Sequence, residues 1–204
     1  MKIKLCGIRR GEDIQYVNEF LPDYIGFVFA ESRRRVTSRQ AEILKSRLDV
    51  KIKAVGVFVN EPINSIAIYK NAADIIQLHG DEDESYIVEL KEIFPDKEIW
   101  KAVRVRTAED IAKAQMLPVD KLLLDSFSKD SYGGTGKTAD WSVIKNTIIT
   151  KPFFLAGGLN ADNIEQAVLE VKPFGVDISG GIETDGFKDK NKINEIMTIL
   201  RKGN

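Results

Sequence analysis

The chain has 204 residues, 43% hydrophobic and 30% charged, a balance that suits one globular domain over 1–204 and leaves out disordered and fibrous classes. Thirty basic against 31 acidic side chains give a net charge of −1, which supplies no cationic surplus for a nucleic-acid backbone. No apolar window approaches the ~18 residues of a membrane span, no secretion signal opens the chain, and one cysteine permits no internal disulfide. A cytoplasmic protein without membrane contact is expected.

The first predicted strand covers 3–6. Alternation places Ile3 and Leu5 on one face and Lys4 and Cys6 on the other. A buried free cysteine is commonly a small hydrophobe, but one beside a lysine is also placed to become a thiolate. A helix is expected over 13–20 and a strand over 24–29, followed by Arg33-Arg34-Arg35. Arginine triplets are usually solvated; a loop arginine such as Arg35 is also suited to clamp a carboxylate through its fork. A helix over 39–48 and strands over 52–59 and 75–78 come next, the last leading to His79, the only histidine. His79 reads as a supporting group or a base, and no Cys/His set around it suggests a metal.

Helices over 83–94 and 108–116 flank a strand over 99–103. The next strand, 121–125, is apolar until it closes on Asp125, which either caps a loop or serves as a general acid raised by its apolar setting. Residues 131–138 end in Gly-Lys-Thr, but Ser131 stands where a P-loop needs its first glycine. Closure over a site suits this glycine-rich loop better than nucleotide binding. A strand over 153–156 runs into Gly157-Gly158, a helix follows over 161–171, and a strand over 175–178 runs into Ser179-Gly180-Gly181. Asp177 within it either bonds a sugar hydroxyl or pairs with Lys4. A helix over 190–201 ends the pattern.

Eight strands alternating with helices predict a parallel sheet, and glycine turns after the last two favour a closed (β/α)8 TIM barrel over an open sheet. In such barrels the two final loops bind phosphate through backbone N–H groups, so a phosphorylated small molecule is the expected partner. Gly157, Gly158, Ser179, Gly180 and Gly181 would hold it, aided by a helix N-terminus after the eighth strand.

The chain resembles the phosphoribosylanthranilate isomerase family over nearly its whole length. The resemblance rests on Lys4-Leu5-Cys6-Gly7-Ile8, Gly26-Phe27-Val28-Phe29 with the arginine loop, Val55-Gly56-Val57-Phe58-Val59-Asn60 and Gln77-Leu78-His79-Gly80. It continues in order through Leu124-Asp125-Ser126, Gly133-Gly134-Thr135-Gly136, Asp140-Trp141, Ala156-Gly157-Gly158-Leu159 and Val176-Asp177-Ile178-Ser179 with Gly181 and Glu183. It implies a cofactor-free, metal-free Amadori rearrangement in tryptophan biosynthesis by a monomer, with Cys6 as general base, Asp125 as general acid and Arg35 on the substrate carboxylate. Arg9 and Gly180 depart from the family pattern, and Gly180 removes a side-chain phosphate contact while keeping the backbone donor. A related sugar-phosphate enzyme and a non-catalytic phosphate-binding barrel are the alternatives.

Overall fold

The computed structural model describes residues 1–126 and 141–202. The glycine-rich loop at 131–138 lies outside them. Eight parallel strands close in chain order into a barrel, the first pairing with the last. They are β1 (Lys2–Cys6), β2 (Tyr24–Val28), β3 (Lys53–Phe58), β4 (Ile75–Leu78), β5 (Glu98–Arg104), β6 (Lys121–Asp125), β7 (Phe153–Ala156) and β8 (Gly175–Ile178). All eight expected strands are present, with ends shifted by a residue or so in four of them.

The helices outside the barrel are α1 (Gly11–Phe20), α2 (Ser38–Lys45), α3 (Ile63–Ile66), α4 (Glu84–Ile93), α5 (Ala108–Met116), α6 (Ser142–Lys145), α7 (Ile164–Val171) and α8 (Lys190–Lys202). Two are single turns, α3 and α6, too short for a helical period to show in sequence. The expected start of α7 at 161 gives way to a turn in which the Asn160 N–H donates to Asn163 Oδ1, so the helix begins at Ile164. After β8 comes a three-residue 3-10 turn (Gly180–Ile182), then a two-stranded hairpin of β9 (Glu183–Thr184) and β10 (Phe187–Lys188). Sequence reading missed this hairpin. Its turn, Asp185-Gly186, has φ of 51° and 79°, the positive pair a two-residue hairpin requires.

Alternation along the strands creates two cores. Ile3, Leu5, Ile25, Phe27, Leu122 and Leu124 pack outward under the helices. Tyr24, Val55, Ile75, Trp100, Leu123 and Phe154 fill the barrel. Trp100 stacks on Phe154 with ring centroids 4.8 Å apart, and Tyr24 meets Trp100 edge-on at 5.1 Å. This aromatic layer closes the barrel interior, so the polar residues of the inward rows collect at the C-terminal ends of the strands.

Candidate active site

A cavity of about 800 Å³ opens at that end of the barrel, lined by Cys6, Arg33, Arg34, Gln77, His79, Asp125, Asp177 and the loops carrying Gly157, Gly158, Ser179, Gly180 and Gly181. Strand order brings these residues together, because β1 pairs with β8 in a register that sets Lys4 beside Asp177. Lys4 is fully buried and its Nζ lies 2.9 Å from Asp177 Oδ1. The pairing reading of Asp177 therefore holds, and the same residue also lines the cavity.

Cys6 sits at the end of β1, 8% exposed. Lys4 was expected to favour its thiolate. Burial outweighs that pull: it pushes the thiol pKa up, while Lys4 and Lys188 bring it down by less and Asp177 adds to the rise. Burial likewise disfavours the charged form of Lys4, but there Asp177 and Cys6 prevail and its pKa is raised. Its partners thus favour the charge on Lys4, while burial opposes a charge on the Cys6 thiol.

His79 lies beyond β4 at the cavity wall. Its Nδ1 is 3.1 Å from Gln77 Nε2 and its backbone N–H donates to the Phe58 carbonyl. Burial drives its pKa down, opposed by Asp125, so the imidazole is neutral. The loop beneath is braced by Glu82, which accepts from the N–H groups of Asn60 and Gly80 and pairs with buried Lys101 at 3.1 Å. The backbone on either side of the cavity-lining His79 is thus held by buried groups. Gln77 was quoted only as part of a motif; it is 1% exposed, and its Oε1 has no hydrogen-bond partner among the described residues.

The two glycine turns meet as expected. Gly157 and Gly158 have φ of 96° and 66°. A Cβ on Gly181 would lie 1.9 Å from the Leu159 carbonyl oxygen, so the loops after β7 and β8 touch backbone to backbone. The Ser179 hydroxyl donates to the Cys6 carbonyl at 3.1 Å, tying the loop after β8 to the end of β1. The expected helix N-terminus after β8 is only the 3-10 turn at Gly180–Ile182.

Of the three loop arginines, Arg33 and Arg34 line the cavity and Arg35 does not. Arg35 forms an isolated bridge with Val28 and its exposed guanidinium bonds Glu31 at 2.6 Å, so it does not line the cavity. Arg34 does, and its Nε and Nη2 form a fork on Glu183 at 2.7 Å each. The backbone of the arginine loop folds back on β2, which turns side chain 35 away from the mouth. No group of three or more His, Cys, Asp or Glu side chains arranged to hold a metal occurs among the described residues. No helix among them is long and apolar enough to cross a membrane.

Residues 3–198 match the family model described as N-(5'phosphoribosyl)anthranilate (PRA) isomerase. The N-(5'-phosphoribosyl)anthranilate isomerase of Thermoanaerobacter pseudethanolicus is 45% identical over 203 residues, covering 98% of each chain. The crystal structure of phosphoribosyl anthranilate isomerase from Thermotoga maritima superposes with a TM-score of 0.86 at 31% identity, covering 99% of both chains. A structure of that enzyme type in complex with reduced 1-(o-carboxyphenylamino)-1-deoxyribulose 5-phosphate gives 0.84 at 30% identity, again over 99% of both chains.

Proposed function

The chain belongs to the N-(5'-phosphoribosyl)anthranilate isomerase family, and from that membership we propose how its own residues divide the reaction. The activity is the isomerisation of N-(5-phosphoribosyl)anthranilate to 1-(2-carboxyphenylamino)-1-deoxyribulose 5-phosphate in tryptophan biosynthesis. In our reading Asp125 protonates the ribose ring oxygen; the C1–O bond breaks and the anilino nitrogen pair forms a C1=N iminium. Cys6, as thiolate, removes the C2 proton; the C–H pair forms C1=C2 and the iminium electrons return to nitrogen. The enolamine then ketonises, moving the C2 hydroxyl proton to C1. The iminium is the electron sink, so the chemistry asks for no cofactor.

The observation that carries this division is the convergence of Cys6 and Asp125, from the non-adjacent strands β1 and β6, on one cavity that also holds the glycine loops. Backbone N–H groups of Gly157, Gly158, Gly180 and Gly181, with Ser179, receive the phosphate in this reading, and Asp177 takes a sugar hydroxyl with the carboxylate capacity left after Lys4. Arg34 replaces Arg35 at the anthranilate carboxylate. The Glu183 fork uses Nε and Nη2, and the Nη1–Nη2 edge remains to meet a ligand. The cavity is built from one chain, and we take the enzyme to act as a cytoplasmic monomer.

The test follows anthranilate fluorescence in EDTA after mixing purified protein with phosphoribosylanthranilate made from anthranilate and phosphoribosyl pyrophosphate. Decay well above the spontaneous rate is expected, lost in Cys6→Ser and Asp125→Asn by about 10²-fold or more. Retained activity in either variant would remove that residue from the mechanism.

A further inference from the structure

The β9–β10 hairpin carries a buried charged cluster beside the cavity. Glu183, 8% exposed, accepts the Arg34 fork, a bond from Arg33 Nη2 at 3.1 Å and one from Lys188 Nζ at 2.8 Å. Lys188 is itself 4% exposed, and its ammonium also donates to the Ser179 carbonyl at 2.9 Å. Three cations thus surround one carboxylate, and two of them, Arg33 and Arg34, line the cavity. The surplus positive charge faces the place where a substrate anion would enter.

Steric detail shows that Arg34 is seated and not merely attracted. A Cβ on Gly7 would lie 2.5 Å from Arg34 Cδ and 3.4 Å from Lys188 Nζ, so both side chains lie across bare backbone next to Cys6. A Cβ on Gly180 would lie 3.8 Å from Arg34 Nη2. The guanidinium therefore spans from the loop after β1 to the loop after β8. A long side chain with several rotatable bonds holds that pose only if something fixes its far end.

We propose that Glu183, braced by Lys188, is a positioning residue that fixes Arg34 with its free guanidinium edge toward the substrate carboxylate. This rests on the reading of Arg34 as the carboxylate contact. Neither Glu183 nor Lys188 touches the substrate; their effect passes through Arg34. Glu183 is the natural anchor because an ionised carboxylate matches the arginine fork in both spacing and charge.

Steady-state kinetics on the full chain test this with E183Q, R34M and the double variant. R34M is expected to raise KM by about ten- to hundredfold with kcat changed little, the loss of charge-assisted hydrogen bonds made in ground and transition states alike. E183Q should raise KM by about tenfold, and the double variant should be no worse than R34M, because residues acting through one contact are not additive. Inhibition by anthranilate should weaken in E183Q while inhibition by inorganic phosphate stays unchanged, a selectivity that general loosening would not produce. K188M should reproduce part of the loss and K188R restore it. E183D, which keeps the charge but withdraws it from the guanidinium, gives the same readout if E183Q folds poorly. Additive effects, equal loss of phosphate and anthranilate inhibition, or a fall in KM, which would make Glu183 a competitor for Arg34, would each overturn the proposal. An unmoved KM in R34M would instead sink the underlying carboxylate reading.

Discussion

Lys4→Met removes a cation that has no access to water and lies 2.9 Å from Asp177. Breaking a buried pair from one side leaves the other charge without compensation, at about 3–5 kcal/mol. Asp177 borders the cavity, its side chain 9% exposed, so water relieves part of that cost and about 2–3 kcal/mol is expected at pH 7. Lys4 has its pKa raised above 10.5, so its contribution is complete below that pH and fades only as pH climbs past the folded value. Urea denaturation at neutral pH therefore reads the whole effect. The second consequence concerns the thiol. Burial holds the Cys6 pKa up and the charge of Lys4 is the largest influence against it, so removing Lys4 drives it higher still. The rise of kcat/KM with pH should shift to more alkaline values in the variant. In Lys4→Met/Asp177→Leu most of the stability should return, since an apolar pair replaces an ionic one at similar volume. A stability change within about 0.5 kcal/mol together with an unmoved pH limb would refute the account of both residues.

Two further predictions concern the loops. Gly181→Ala should drive the β7 and β8 loops apart, because its Cβ would meet the Leu159 carbonyl at 1.9 Å, and should weaken phosphate inhibition by about tenfold or more. Gly158→Ala meets nothing within 4 Å but must hold a φ of +66°, so it should cost about 1–2 kcal/mol of local strain, less in Gly158→Asn; equal damage at the two positions would show that backbone contact is not the constraint. Burial pushes the Glu183 carboxyl up, yet hydrogen bonds from Arg34 and Lys188 prevail and hold it near 2 against an ordinary 4.5. Its stabilising effect, on the order of 3 kcal/mol, is present above pH 4.5 and is lost as pH falls toward 2. Urea midpoints measured down that range should decline less steeply in Glu183→Gln than in the parent; parallel declines would exclude the shift.

The strands were legible because a strand buried on both faces reads as an unbroken apolar run, such as Leu122-Leu123-Leu124 before Asp125. The inward facing of Lys4 and Cys6 was legible because strand side chains alternate with period two. Glycine turns after Ala156 and Ile178 likewise announced two loops whose backbones come into contact at one cavity. Loops carry no such period, so nothing local separated Arg34 from Arg35; that choice depends on the bridge between Arg35 and Val28. The hairpin at Asp185-Gly186 went unread because its strands are two residues each, too short to show a period, and only its pairing brings Lys188 to Glu183 and sets both under Arg34. Cys6 shows the division most sharply. Sequence determined its strand, its facing and its lysine neighbour. Whether the thiol is lowered by that cation or raised by loss of water depends on how completely the barrel excludes solvent, and only the closed tertiary structure decides that.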